Sequence, residues 1–368
     1  ARGALALCLA AGGLSAGLAT APGCSSGPPV QVHPSACPQG QSCQVSVTFL
    51  HTADVHSRLF SYDLQIAQAD ADLGLGPAGE VRTIGGVARM AYVLERERAR
   101  AGRTIHVEGG DCFQGAPVFN FFRGEPEIRA LSYMGVDAMV IANHEFDLGV
   151  VNAARQVQKW ATFPVLAANY KLYPADQPSN PPLATVLRPF TVKNVDGLKV
   201  AIIGMANFSS LSSVFEQPNR LGVLPLASAE TAQGYIDLLR PHVDLVVATT
   251  HLGLENDEDM IRNTTGIDIV FGSHNHIVLN PPKTVRDCSA NADAPGYIWS
   301  TDPNKPQDPN AEPPNDAEHP DPINHPWQFR RACKPRSVPL VHSGAFAKFV
   351  GRLDVVVSNV AEEVSPTR

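Results

Sequence analysis

The feature that most constrains this chain is a series of short apolar runs, each of strand length, that begins at residue 45. Between several of them lie segments with apolar residues at helical spacing, such as Gly86–Arg100 and Ala229–Leu239. Strands that alternate with helices predict an α/β domain. The apolar runs are Val45–Leu50, Thr104–Val107, Ala138–Ile141, Val165–Ala168, Val200–Ile203, Leu245–Ala248 and Ile267–Phe271, with a last strand predicted at Arg352–Val357.

Polar residues of the metal-ligand type follow five of these runs. In α/β sheets ligands bind at the carboxyl ends of the strands, so we expect these residues to converge. A single histidine after a strand is more often a core or surface residue, but five such motifs in order favour one shared site. The residues are Asp54 and His56, Asp111, Asn143 and His144, His251, and the pair His274 and His276.

The residue types at these positions indicate a site for two metal ions. Asp54 and His56 are two apart and can grip one divalent ion, while Asp111 follows two glycines on a turn that allows close approach. Nitrogen and oxygen ligands without thiolate suit Zn, Mn, Fe, Co or Mg. Two such ions about 3.5–4 Å apart produce hydroxide at neutral pH and clamp an in-line displacement at phosphorus. The pattern therefore predicts hydrolysis of a phosphate ester.

These motifs resemble those of the calcineurin-like metallophosphoesterases and, within them, the 5′-nucleotidase family. Ala142 and Ser273 depart from the usual glycine before the Asn-His and His-x-His motifs, and neither departure removes a ligand. The segment Asn143–Asp147 is the most specific. The matching segments, over roughly residues 45–357, are His51–His56, Gly85–Arg89, Glu108–Gly115, Asn143–Gly149, Thr250–Gly253, Gly272–His276 and Ser343–Asp354.

The resemblance implies a four-layer α/β/β/α sandwich and a role for each site residue. It implies that a metal-bridging hydroxide attacks phosphorus. His144 resembles the catalytic histidine, which either stabilises the transition state or protonates the leaving oxygen, and Asp147 resembles its orienting partner. The metal ligands implied are Asp54, His56 and His276 for the first ion, Asn143, His251 and His274 for the second, and Asp111 as the bridge between the two.

The same resemblance implies a metal-dependent phosphoric ester hydrolase whose substrate is a nucleoside 5′-monophosphate or a 2′,3′-cyclic nucleotide. Two alternatives stay open: a thiosulfohydrolase-like enzyme that acts on a carrier protein, and an inactive binding module. The net charge of −7 argues against binding of a nucleic-acid polymer. Nucleotidases of this type usually carry a C-terminal nucleotide-binding domain. Because the chain ends at Arg368, soon after the last predicted strand, we expect either a fragment or a single-domain relative.

The first residues are typical of an export signal. Residues 1–23 are rich in Ala, Leu and Gly and are interpreted as a signal peptide, and residues 24–44 as a Pro- and Ser-rich tether. The sequence around Cys24 resembles a bacterial lipobox, which predicts a lipid anchor there; ordinary cleavage after Ala21 is the alternative. The protein is accordingly expected to be exported, as a periplasmic or membrane-anchored bacterial lipoprotein.

A Pro-, Asp- and Asn-rich segment at about residues 283–338 is interpreted as an insertion, either a substrate-contacting lid or a surface decoration. Cys288 and Cys333 bracket it and could close it, and Cys37 and Cys43 could form a small loop. Cys112 is left over as a buried filler. The remaining residues with two open interpretations are Arg58 and Arg89, as phosphate contacts or ordinary surface and packing residues, and His51, His106 and His342, as core residues or supports behind the site.

Overall fold

The computed structural model describes residues 36–37, 41–172, 183–207, 223–301 and 328–359, all within a unit that spans residues 32–368. The predicted signal peptide and most of the predicted tether, with Cys24, lie outside the described residues. So does the middle of the predicted insertion, residues 302–327. Within the described residues, no helix combines the length and the apolar character needed to cross a membrane.

The strands and helices follow one another in the alternating order that the sequence predicts. The strands are β1 Gln44–Thr52, β2 Tyr62–Gln65, β3 Val81–Ile84, β4 Thr104–Glu108, β5 Ala138–Val140, β6 Val165–Leu166, β7 Tyr170–Leu172, β8 Leu187–Arg188, β9 Phe190–Val195, β10 Leu198–Met205, β11 Val223–Pro225, β12 Leu245–Thr250, β13 Ile269–Gly272, β14 Lys283–Arg286, β15 Tyr297–Thr301, β16 Gln328–Ala332, β17 Ser337–His342 and β18 Gly351–Ser358. The helices are α1 Gln68–Asp72, α2 Val87–Ala99, α3 Val118–Phe122, α4 Glu125–Tyr133, α5 Gly149–Trp160, α6 Leu183–Val186, α7 Ser228–Leu239 and α8 Leu254–Arg262, with 3₁₀ turns at His144–Phe146 and Arg240–His242.

Two six-stranded sheets form the centre of the fold. The first has the order β18-β1-β4-β5-β6-β8, and its strands are parallel except for β18. The second has the order β14-β17-β13-β12-β10-β9, with a parallel centre and an antiparallel strand at each edge. Because the central strands of each sheet are parallel, their carboxyl ends share one edge of that sheet.

The two sheets pack face to face, and helices cover their outer sides. Phe49 of β1 and Phe271 of β13 meet between the sheets with ring centroids 5.2 Å apart, inside a buried cluster drawn from both. A second cluster joins the first sheet to α2, α4 and α5, and a third joins the second sheet to α7 and α8. The four-layer α/β/β/α sandwich predicted from the motifs is therefore confirmed.

Helix α2 shows how the sequence sets these layers. The predicted helix Gly86–Arg100 is observed as Val87–Ala99, with Gly86 just before its first turn. Met90 and Leu94 are one turn apart and both are buried against the first sheet. Each such side chain contributes about 1.5–3 kcal/mol by leaving water, so the docked face stabilises the helix more than its intrinsic propensity does.

The structure moves both boundaries of the predicted insertion inward. Residues 283–286 form β14, which pairs with β17 in the second sheet, and β17 itself starts at Ser337. Only one residue of β14, Val285, is buried, so the strand carries too little apolar pattern to stand out from its polar surroundings. Part of the remainder is not irregular either, because β15 and β16 form an antiparallel pair.

The base of this segment is fixed at the edge of the second sheet where β17 begins. Cys288 is bonded to Cys333, just beyond the point where Arg286 pairs with Ser337. The guanidinium of Arg331 in β16 forms an ion pair with Asp237 on α7. A second disulfide joins Cys37 to Cys43, and Cys112 is a buried free thiol, as the sequence predicts. The residues that would form a lid, 302–327, are outside the described part of the chain.

Candidate metal centre

Loops at the carboxyl ends of five strands bring the predicted site residues together. The two sheets contribute different ligands: residues after β1, β4 and β5 come from the first sheet, and residues after β12 and β13 come from the second. Six of the predicted ligands fall into two groups whose candidate ligand atoms lie within 4.8 Å of one another. The first group is Asp54, His56 and His276, and the second is Asp111, His251 and His274.

The backbone at the site is unusual, because five of these six residues adopt a left-handed conformation. Each such residue costs on the order of 1–3 kcal/mol, which the surrounding structure must offset. Part of that offset comes from the loop after β1, which runs beside the loop after β4. Its amides at Asp54 and His56 donate to the carbonyls of Gly110 and Asp111 at 2.9 and 3.1 Å. The φ values are 50° for Asp54, 49° for His56, 52° for Asp111, 80° for His274 and 58° for His276.

In the first group the two imidazoles face each other. Nε2 of His56 lies 3.0 Å from Nε2 of His276, and the latter lies 3.5 Å from Oδ1 of Asp54. Nδ1 of His56 is 3.1 Å from the carbonyl oxygen of Gln114, to which it donates in the tautomer that leaves Nε2 with a lone pair. Two nitrogen lone pairs and a carboxylate oxygen aimed at one point are suited to a cation.

The second group also brings a carboxylate oxygen and two imidazole nitrogens close together. Nε2 of His251 lies 2.9 Å from Oδ2 of Asp111 and 3.3 Å from Nδ1 of His274. Nδ1 of His251 faces the carbonyl of Gly109 at 2.7 Å and the hydroxyl of Ser273 at 2.8 Å. Ser273, which stands where the family usually has glycine, therefore supports a ligand instead of disturbing it.

Two buried oxygens test whether these residues fit divalent ions. Oδ1 of Asp54 and Oδ1 of Asn143 are both buried and have no hydrogen-bond partner among the described residues. A buried acceptor without a partner is costly unless something else satisfies it. Both atoms belong to residues predicted as ligands, and the donor set is the mixed nitrogen and oxygen type that suits divalent cations. The residues present fit two divalent metal ions, whose identity the donor set leaves open.

The two carboxylates have opposite electrostatics. Burial raises the pKa of Asp54 to about 8, against the attraction of His251. Burial also acts to raise the pKa of Asp111, but the charge and hydrogen bond of His251 outweigh it and lower that pKa below its usual range. The negative charge of Asp111 is therefore the better stabilised of the two. Oδ1 of Asp54 lies between the two groups, 4.0 Å from Nε2 of His251. The bridging role of Asp111 stays a prediction.

His144 lies beside the first group, and its surroundings favour the protonated, positively charged ring. Its ring centroid is 5.2 Å from that of His56, and its Nδ1 is 2.8 Å from Oδ2 of Asp147. Burial acts to lower the pKa of His144, but the hydrogen bond to Asp147 and the charge of Asp111 raise it to about 9. The backbone N–H of His144 donates to Oδ1 of Asp111 at 2.9 Å, which ties this imidazole to the second group.

Two residues near the centre were assigned no role from the sequence. Phe346 packs its ring against His56 and His276, with centroids 5.4 and 4.8 Å away. Glu145 is fully buried between the loops that carry Asp111 and Asn143. The signal for Glu145 was available, because it is a charged residue in the middle of the most specific motif.

The other histidines and arginines singled out in the sequence make packing or supporting contacts within the protein. Nδ1 of His51 faces Ser343, and Nε2 of His342 faces the buried carboxylate of Asp257. Arg58 stacks on the ring of Tyr62, with its guanidinium carbon 4.8 Å from the centroid. Arg89 donates to the carbonyl of Thr83. His106, also buried, lies between Thr52 and Arg98.

Comparison with known proteins places this fold and site in a known class. The chain is 28% identical over 313 residues to a snake venom 5′-nucleotidase from Crotalus adamanteus, an alignment that covers 84% of this chain and 45% of the relative. A 5′-nucleotidase precursor from Thermus thermophilus has a similar structure, with a TM-score of 0.61 and 26% identity over 84% of this chain and 51% of that one. No family model matches the sequence.

A calcineurin-like phosphoesterase from Bacillus subtilis shares the fold, with a TM-score of 0.55, 19% identity and coverage of 85% of this chain and 86% of that one. The fold is thus that of the calcineurin-like phosphoesterases, and the site residues fit two divalent ions. The sequence is similar to those of curated 5′-nucleotidases, and this similarity supports a place in that family. It spans about half the length, or less, of the 5′-nucleotidases that it matches.

Proposed function

We propose that this chain hydrolyses phosphate esters at a two-metal centre, and that its substrates are nucleoside 5′-monophosphates or 2′,3′-cyclic nucleotides. The observation that carries the proposal is the pairing of the two ligand groups across the sheets. Asp54 Oδ1 lies 3.5 Å from His276 in one group and 4.0 Å from His251 in the other, so the two groups adjoin. That arrangement supports two ions acting on one phosphoryl group.

The chemistry divides between the ions and the side chains. Divalent ions bound at such a centre lower the pKa of water towards neutrality and stabilise the oxygens of an in-line displacement. His144, held by Asp147 and raised in pKa to about 9, carries a proton at neutral pH. It either donates that proton to the leaving oxygen or stabilises the charge of the transition state. Phe346 packs its ring against His56 and His276 of the first group.

The nucleotide part of the proposal is supported by the names of the relatives. The relative from snake venom and the precursor from Thermus thermophilus are both named 5′-nucleotidases. The described residues around the centre recognise a phosphoryl group through cations and a protonated imidazole, which is chemistry that any phosphate ester can use. Substrate choice is therefore the part of the proposal to test first.

The deciding experiment combines metal analysis with a substrate panel. Purified protein loaded with Mn²⁺ or Zn²⁺ and then desalted should retain about two ions per chain. It should release phosphate from AMP or open 2′,3′-cyclic AMP faster than it cleaves bis-p-nitrophenyl phosphate. Retention of no ions after loading would contradict the metal centre. Turnover of a thiosulfonate-bearing carrier in preference to every phosphate ester would replace the substrate class.

We also propose that the protein works outside the cytoplasm, as a periplasmic or lipid-anchored protein. The two disulfides, Cys37–Cys43 and Cys288–Cys333, support an oxidising compartment. The anchor would be Cys24, which is outside the described residues. Mass spectrometry of the protein recovered from a bacterial membrane fraction tests this point: diacylglyceryl on Cys24 is expected, and an unmodified N-terminus after Ala21 would exclude the anchor.

A further inference from the structure

Glu145 is a charged side chain buried at the junction of the two loops that carry Asp111 and Asn143. It lies in the 3₁₀ turn after β5, and its exposed fraction is 0%. Its neighbours in sequence, His144 and Asp147, lie at the centre, whereas the carboxylate of Glu145 binds backbone N–H groups. A buried carboxylate is stable in a protein when donors surround it.

Four backbone N–H groups donate to this carboxylate, two to each oxygen. Oε1 accepts from Cys112 at 2.9 Å and from Phe113 at 3.3 Å. Oε2 accepts from Asp111 at 3.2 Å and from Ala142 at 2.9 Å. Three of the donors belong to the loop after β4, and the fourth directly precedes Asn143. One side chain therefore fixes the loop of one predicted ligand against the loop of another.

The contact between the two loops is reciprocal. While Glu145 of the β5 loop accepts from the β4 loop, Oδ1 of Asp111 in the β4 loop accepts from the N–H of His144 at 2.9 Å. The β4 loop contains a left-handed residue at Asp111, so it cannot keep its shape through ordinary secondary structure. The carboxylate supplies the acceptors that a strand or helix would otherwise provide.

We propose that Glu145 is a positioning residue, which holds Asp111 and Asn143 at the separation that the second metal ion requires. Only an acceptor with two oxygens serves all four donors. Glutamine has the same size, but its NH₂ group would face two N–H donors and lose both hydrogen bonds. The inference rests on the proposed two-metal function, because it assigns a task within that same centre.

The test compares Glu145→Gln with Glu127→Gln in the full chain. Glu127 on α4 is also buried, at 1% exposed, and burial raises its pKa, but it lies outside the loops after β4 and β5. Titration calorimetry of the metal-free proteins with Mn²⁺ gives the affinity of each ion, and the second ion is identified by its loss in His274→Ala. We expect the second ion to bind about 10–100-fold more weakly to Glu145→Gln and with unchanged affinity to Glu127→Gln.

A purely structural role would give a different result. It would lower thermal stability and weaken the two ions by the same factor, and that outcome overturns the proposal, as does wild-type affinity for the second ion. Hydrogen exchange of the metal-free proteins provides a readout that needs no metal. In Glu145→Gln we expect faster exchange at the amides of Asp111, Cys112, Phe113 and Ala142, with the strands of both sheets still protected. If the wild-type chain binds no Mn²⁺ the proposed function fails, whereas the exchange pattern still decides whether Glu145 fixes the two loops.

Discussion

At the scale of single residues, the imidazoles of the centre differ in what holds their Nδ1 atom. His56 and His251 face backbone carbonyls, of Gln114 and Gly109, whereas His144 faces the carboxylate of Asp147. A carbonyl fixes the tautomer and leaves Nε2 directed at a cation, while a carboxylate also stabilises the protonated ring. Histidine thereby serves as a predicted metal ligand at two positions and as a candidate acid at a third.

The role of His144 predicts a separation between turnover and metal binding. His144→Ala removes the imidazole that Asp147 keeps charged, so kcat should fall about 10²–10⁴-fold. The predicted metal ligands are untouched, so the metal content measured after desalting should stay at the wild-type value. Asp147→Asn serves as the matched variant and should lower kcat less. A His144→Ala protein with wild-type kcat, or one that has lost its ions, would contradict the assignment.

His106 gives a prediction about stability against pH, away from the metal ligands. Burial and the charge of Arg98 lower its pKa from 6.5 to about 3, with Arg98 Nη2 3.2 Å from Nδ1. Above pH 6.5 the ring is neutral in both states, but below it the unfolded chain takes up a proton that the folded chain does not. Folding stability should therefore be lost as the pH falls, by about 1.3 kcal/mol between pH 7.5 and 5.5 for this one group.

The measurement for His106 is urea denaturation at both pH values, with His106→Gln as the comparison. The wild type should lose about 1.3 kcal/mol more than the variant over this interval, whatever the variant loses at pH 7.5. Comparing the two losses removes the contribution of all other titrating groups. Equal losses in the two proteins would mean that His106 is not the buried neutral ring that the structure describes.

At the scale of elements, the two sheets approach each other closely at Gly204 in β10. A β-carbon placed there would lie 2.2 Å from the β-carbon of Leu166 in β6 of the opposite sheet. No side chain can be accommodated at that separation unless the sheets move apart. The glycine thus sets how near β10 and β6 can pack, close to the ends from which the loops of the site emerge.

Gly204→Ala should destabilise the fold by about 1–3 kcal/mol, the usual effect of overpacking a core. Gly234→Ala is the control, because Gly234 lies in α7 with nothing within 4 Å of the added carbon. The control should be neutral or stabilising by up to about 1 kcal/mol, since alanine is the better helix former. Urea midpoints measure both effects, and equal stability of the two variants would show that the sheets separate without cost.

Elements with a strong apolar period were predictable from the sequence. The runs at 45–50, 200–203 and 245–248 are observed as β1, β10 and β12, because a buried strand needs continuous apolar residues whatever follows it. Their polar followers converge for the same reason: parallel strands place their carboxyl ends on one edge. The division of ligands into two groups followed from the resemblance, and the five Asp and His residues assigned to a single ion fall into the same two groups in the structure. Asp111, predicted as the bridge, lies with His251 and His274.

Elements and residues without such a period were not predictable. β14 has a single buried residue, Val285, and β15 and β16 lie in a polar stretch of the sequence. None of these three strands could therefore be distinguished from a loop. Glu145 posed a different difficulty, because three of its four partners are backbone amides 32 to 34 residues earlier in the chain. A side chain that binds backbone leaves no complementary residue in the sequence, and only the folded loops reveal it.

At the scale of the whole molecule, the two ligand groups join the halves of the sandwich. The first group takes Asp54 and His56 from the first sheet and His276 from the second. The second group takes Asp111 from the first sheet, with His251 and His274 from the second. Any ion in either group therefore contacts both sheets at their carboxyl edges. Binding that requires this arrangement stabilises the folded chain over the unfolded one.

The metal ions should consequently be part of the stability of the fold. With Mn²⁺ at 100 times its dissociation constant, one site adds about 2.7 kcal/mol to the free energy of unfolding, which a chelator removes. Urea denaturation with Mn²⁺ and with EDTA measures the difference. His144→Ala should keep it, because His144 is not a predicted ligand, while His276→Ala should lose the share of the first ion. If EDTA left the wild-type midpoint unchanged, the ions would not join the sheets, and the buried cluster around Phe49 and Phe271 would hold the two halves together without them.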